Sequence, residues 1–107
     1  MAVVLTTFPD LDTARQIGTK WVETQLVACV NLLPGAESIY RWEDRTERSP
    51  EVLALVKTTH ARLEELAASL QELHPYEVPE FVVLEPGGGS SGYLAWVKTA
   101  CALEDAG

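Results

Sequence analysis

The stretch HPYEVPE, His74 to Glu80, holds an imidazole, a phenol and two carboxylates between and beside two prolines. Imidazole nitrogens and carboxylate oxygens are metal donors, and an imidazole also carries protons near neutral pH. One reading is therefore a cation site made by His74 with Glu77 and Glu80, built within one chain or across subunits. The other is a rigid corner. Pro75 stops a helix, His74 suits the negative end of that helix, and Pro79 opens a strand. A single histidine without partners at fixed spacing is a weak ligand set, so the corner reading leads.

Other residues offer chemistry in smaller amounts. Cys29 sits between Ala28 and Val30 in a run that reads as a strand, and Cys101 falls in the last helix. Cys29 has no neighbouring cation in sequence, and both read as small buried hydrophobes. Tyr40, Trp42, Tyr93 and Trp96 are large aromatics of the kind that fill cores and subunit interfaces. The same four, with Lys57, could line a small-molecule pocket between subunits. Lys57 lies in an apolar run and needs an acid or a rim, and Glu47 is a candidate partner. GGGSSG at 87–92 precedes a helix but lacks the Lys-Ser/Thr of a phosphate-binding loop. No serine or cysteine is paired in sequence with a base, and TTFPDLD after the first strand has no arginine. No catalytic residue is assigned.

The totals bound what these residues can serve. A chain of 107 residues, 47% hydrophobic, fits one globular domain over 1–107. A formal net charge of -8 argues against nucleic acid as a partner. No run approaches the roughly 20 apolar residues of a membrane span. MAVVLTTFPD is not read as a signal peptide, and two cysteines outside any CxxC pair suit reduced thiols in the cytoplasm.

The elements follow from periodicity. AVVLTT (2–7) reads as a strand. Asp10 caps a helix whose stripe is Leu11, Ala14, Gly18, Trp21, Val22 and Leu26. LVACVNLL (26–33) is a strand, and Pro34-Gly35 is a turn or a bulge before AESIYRWED (36–44) continues extended. EDRTERSP reads as a charged hairpin tip leading to the strand EVLALVKTT (51–59). Thr59 can cap the next helix, where Leu63, Leu66, Leu70 and Leu73 recur at helical spacing. EFVVLE (80–85) is a strand, and the serines of GGGSSG can cap YLAWVKTACAL. The order is that of an α+β, ferredoxin-like βαββαβ fold with an extra C-terminal helix, both main helices on one face of an antiparallel sheet.

That sheet carries apolar residues on both faces. Val52, Ala54 and Val56 lie on one side of their strand, Leu53 and Leu55 on the other. Val82 and Leu84 oppose Phe81 and Val83 in the same way. Exposed, such side chains forgo roughly 1.5–3 kcal/mol each. A second layer must cover them, and copies of the same chain are the expected cover.

ACVNLLPGAESIYRWED (28–44), LALVKTT (53–59), LHPYEVPEFVVL (73–84) and YLAWV (93–97) occur in the order and spacing of the CutA family, and the chain resembles those divalent-cation tolerance proteins over nearly its whole length. The resemblance implies a ferredoxin-like protomer in a tight homotrimer, akin in fold and assembly to the PII signalling proteins. It implies binding of copper or other divalent metal ions, a part in the response to metal ions, no organic cofactor and no enzymatic activity. The alternatives are a PII-like small-molecule sensor or scaffold trimer, and an acylphosphatase-like hydrolase. Some bacterial members carry a proposed copper site of a cysteine ending the first strand and two histidines before Pro-Tyr. Here Thr6 and Leu73 occupy two of those positions and His74 the third, a poor donor set for copper.

Overall fold

The computed structural model describes residues 1–102. Strand β1 (Ala2–Phe8) alternates strictly, with Ala2, Val4, Thr6 and Phe8 buried. Helix α1 (Leu11–Glu23) starts where the Asp10 carboxylate accepts the Thr13 N–H at 2.7 Å. Its buried stripe is Ala14, Ile17, Gly18 and Trp21. Val22, expected in the stripe, is 43% exposed, and Leu26 lies in the turn beyond the helix end. That turn is held from afar: the Gln25 carbonyl accepts the buried Arg62 guanidinium at 3.1 and 3.3 Å.

Strands β2 (Cys29–Trp42) and β3 (Arg45–Thr58) form a long hairpin. Pro34-Gly35 is a bulge, the register slipping between Leu33 and Ala36 with Gly35 at φ 87°. The charged stretch read as a loop is mostly strand. Only Glu43 and Asp44 turn the chain, both at positive φ (47° and 65°), and Arg45 already pairs with Trp42. Alternation fails as a signal here because neither face of this segment is buried. A 3-10 turn (His60–Arg62) leads into α2 (Leu63–Leu73), which buries Leu66 and Leu70. Thr59 stands at the head of that turn without a side-chain cap bond. Strand β4 is shorter than expected, Val82–Leu84. Pro79 and Pro86 bracket it. Glu80 is drawn off by Thr6, whose hydroxyl donates to its carbonyl at 2.6 Å. Helix α3 (Ser91–Ala100) follows Ser90, which makes no side-chain cap bond either.

The sheet order is β2-β3-β1-β4 with every neighbour pair antiparallel, the ferredoxin-like arrangement. One face meets both helices. There Val4, Phe8, Val52, Ala54 and Val56 pack with Ile17, Trp21, Leu66 and Leu70, and Trp21 Nε1 donates to Ser69 Oγ at 2.9 Å. The pairing puts Asn31, Leu55, Leu5 and Val82 in one row on the other face, beside Leu33, Leu53, Val3 and Leu84. Helix α3 does not lie across this face. It packs its Val97 and Cys101 with Ala28 and Met1 at one end of the sheet.

Candidate functional site

The corner read from HPYEVPE is built around His74, only 7% exposed at the end of α2. The Tyr76 backbone N–H donates to its Nδ1 at 3.0 Å. Nδ1 therefore bears no proton, and Nε2 carries it to the Thr7 carbonyl at 2.7 Å. The ring stacks on Phe8 (centroids 5.2 Å, interplanar 19°) and meets Tyr76 at 4.7 Å. Both nitrogens are thus engaged within the chain, and a metal could take one only by breaking a hydrogen bond.

Glu77 and Glu80 are exposed. The backbone carbonyl of Glu77 accepts the Gln71 side-chain amide at 2.9 Å, which pins the corner to α2. Among the described residues no group of three or more His, Cys, Asp or Glu side chains is poised to hold a metal ion. Tyr76 reaches past the corner and its hydroxyl donates to Glu51 Oε2 at 3.1 Å. Burial, then this hydrogen bond and the Glu51 charge, push its phenol up to about 12.

The residues expected at an interface or pocket fall in three places. Tyr40 (42% exposed) and Trp42 (63%) stand on the outer half of the hairpin, where Tyr40 hydrogen-bonds Ser49 at 2.9 Å. Tyr93 and Trp96 pair on α3, centroids 5.7 Å apart, both open to solvent. Lys57 lies on the uncovered sheet face opposite Cys29, and its ammonium donates to Asn31 Oδ1. Glu47 is not its partner within the chain. The two lie ten residues apart along β3, about 33 Å of extended chain, and no hydrogen bond or ion pair joins them among the described residues. Cys29 is half-buried, with its Sγ 3.6 Å from Asn31 Oδ1, and Cys101 is buried as expected.

Asn31, Glu51, Thr7 and Phe8 complete these clusters, and none stands out in the sequence. Asn31 carries a usable signal: a polar side chain two residues after Cys29 in an apolar strand should seek a polar neighbour. Glu51 and the Thr7 carbonyl have no such signal, because only the chain's path brings them to the corner.

Comparison with known proteins agrees with this architecture. The family model of the CutA1 divalent ion tolerance protein matches residues 2–100. A divalent-cation tolerance protein CutA of Pectobacterium atrosepticum is 42% identical over 98 residues, 92% of this chain and 89% of that protein. The chloroplastic CutA protein of Arabidopsis thaliana is 38% identical over 98 residues, 92% of this chain and 54% of that longer one. The solved divalent cation tolerance protein of Thermus thermophilus superposes with a TM-score of 0.92 at 43% identity, covering 95% of this chain and all of that one. These matches place the chain in the CutA1 divalent ion tolerance protein family.

Proposed function

We propose that the protein acts as a homotrimer that binds divalent metal ions, copper among them, and contributes to the cell's response to those ions. The observation that carries the assembly is the second sheet face. Leu33 (44% exposed), Val82 (44%) and Leu84 (45%) flank the half-buried Val3, Leu5, Leu53 and Leu55, with no helix among the described residues laid over them. A patch of that kind is buried by association in water. Two open sheet edges, β2 and β4, favour copies of the chain as the cover, since strands left unpaired accept strands. A groove of about 380 Å³ along the β2 edge, lined by Val22, Val30 and Leu32 together with Arg15, Thr19 and Glu23, offers further surface.

Cation binding is supported by the names of the relatives, by the net charge of -8, and by exposed Glu77 and Glu80 beside His74. Carboxylates alone favour hard or promiscuous cations over selective copper capture. The relatives are named as tolerance proteins, and we assign no catalytic step. We place the protein in the cytoplasm on its two free thiols; cell fractionation checks this. No helix among the described residues is long and apolar enough to cross a membrane.

Sedimentation of the purified protein at micromolar concentration should give three times the 11.7 kDa chain mass, and a monomer would refute the assembly. Calorimetric titration with copper and zinc should give saturable binding weakened by Glu77→Gln with Glu80→Gln. If binding is unchanged in that double variant and in His74→Ala, none of the three residues is a ligand.

A further inference from the structure

The chain has two histidines, and they differ in what holds them. His74 is buried, and both of its nitrogens are bonded to backbone. His60 opens the 3-10 turn. Among the described residues its Nε2 meets only the Glu85 carboxylate, at 2.7 Å, and its Nδ1 has no partner. Both side chains of this pair are more than half exposed, 55% and 62%. An ion pair so open to water contributes little to the fold, so trading it for another partner costs little.

The backbone brings the pair together. Thr58 pairs with Ala2 on one side of β1, and Leu84 pairs with Val3 on the other. Strands β3 and β4 therefore leave the sheet at the same end, flanking the start of β1. His60 comes two residues after Thr58, and Glu85 directly after Leu84. Pro86 confines the backbone of Glu85 to extended geometry. The Arg62 N–H donates to the Thr59 carbonyl at 3.1 Å and fixes the turn that carries His60. A cavity of about 380 Å³, which His60 lines with Thr59 and Lys98 among others, leaves room for water beside the imidazole.

We propose that His60 and Glu85 form a second divalent-cation site, holding a zinc- or copper-class ion through His60 Nε2 and one Glu85 oxygen. Metal bonds of about 2.1 Å put such a nitrogen and oxygen roughly 3.0–3.4 Å apart at octahedral to tetrahedral angles. The pair, now at 2.7 Å, has to open by less than an ångström. The ion takes the Nε2 lone pair, and the proton there moves to the unbonded Nδ1, so no proton has to leave the protein. Water fills the remaining positions, since no third His, Cys, Asp or Glu joins the pair among the described residues. An imidazole beside a carboxylate suits zinc and copper over magnesium and calcium, which take oxygen shells. Lys98 opposes a cation by charge, so the site is a weak one. It shares no residue with the corner, and it rests on the reading that this protein binds divalent cations.

Imidazole 15N–1H correlation spectra of the whole protein, titrated with zinc chloride, test it. The His60 nitrogens should shift saturably and those of His74 should stay, while magnesium chloride at the same concentration should move neither. In calorimetry, zinc binding should persist in Glu77→Gln with Glu80→Gln. Adding His60→Ala or Glu85→Gln to that background should weaken it at least about tenfold. Zinc binding with unmoved His60 resonances, or binding unchanged by His60→Ala, would overturn this site and leave the wider cation reading standing. A wild-type protein with no saturable zinc or copper binding would overturn both.

Discussion

His74 carries much of the local order that its neighbours need. Its ring satisfies one backbone carbonyl and one backbone N–H while filling space against Phe8. His74→Ala removes both hydrogen bonds and leaves a hole in their place, so denaturant unfolding should show a loss of about 2–4 kcal/mol. A ligand histidine on an open surface would cost far less to remove, so this measurement separates the two roles. Tyr76 gives a second, pH-dependent signature. Its phenol is raised to about 12, so the folded state favours the neutral form. The stability it adds is complete below the unfolded value of about 10 and is lost as pH rises through the folded value. Because Tyr76 remains 37% exposed, that contribution is small. Spectrophotometric titration should find one tyrosine ionising above the others, and Glu51→Ala should bring it down.

At the level of elements, the hairpin tip sits in a conformation its residues do not prefer. Glu43 and Asp44 both occupy the left-handed region, where two-residue turns favour Asn-Gly. A left-handed conformation costs an ordinary residue roughly 1–2 kcal/mol. Replacing the pair by Asn-Gly should therefore stabilise the protein by about 1 kcal/mol, read as a higher denaturant midpoint with an unchanged slope. The tip resembles a long loop in sequence for a related reason. Charge content argues for solvent, and solvent exposure is easily equated with absence of strand. The two are independent when a hairpin leaves the body and wets both faces. Helix α1 is legible in place and length, but its stripe is shifted from the expected one: Ile17 is in it and Val22 faces out. Gly18 lies in both stripes, and a Cβ there would meet Val30 at 3.6 Å, an ordinary contact distance.

At the level of the whole molecule, two layers are built and one face is left over. Leu55 stands in the middle of that face, between Asn31 and Leu5. Leu55→Glu should leave the protomer core intact, since Val56 and Ala54 still point the other way. It should convert the assembly to monomers in sedimentation, because each interface would have to bury a carboxylate. A trimer that persists with Glu at this position would mean that the uncovered face is not what holds the copies together.

Strand and helix order, the bulge or turn at Pro34-Gly35, the core leucines of α2 and the excess of apolar faces are all legible in the sequence, because each follows from residue period and from backbone limits at proline and glycine. The family, too, is legible from four segments in register. What the chain order could not reveal is who meets whom across long separations. His74 lies against Thr7 and Phe8, Tyr76 reaches Glu51, and Lys57 finds Asn31 and not Glu47. These pairs depend on strand order and on how far α2 carries the chain before Pro75. A hydrogen bond needs its partners within about an ångström of the right place, and only the folded path sets that distance.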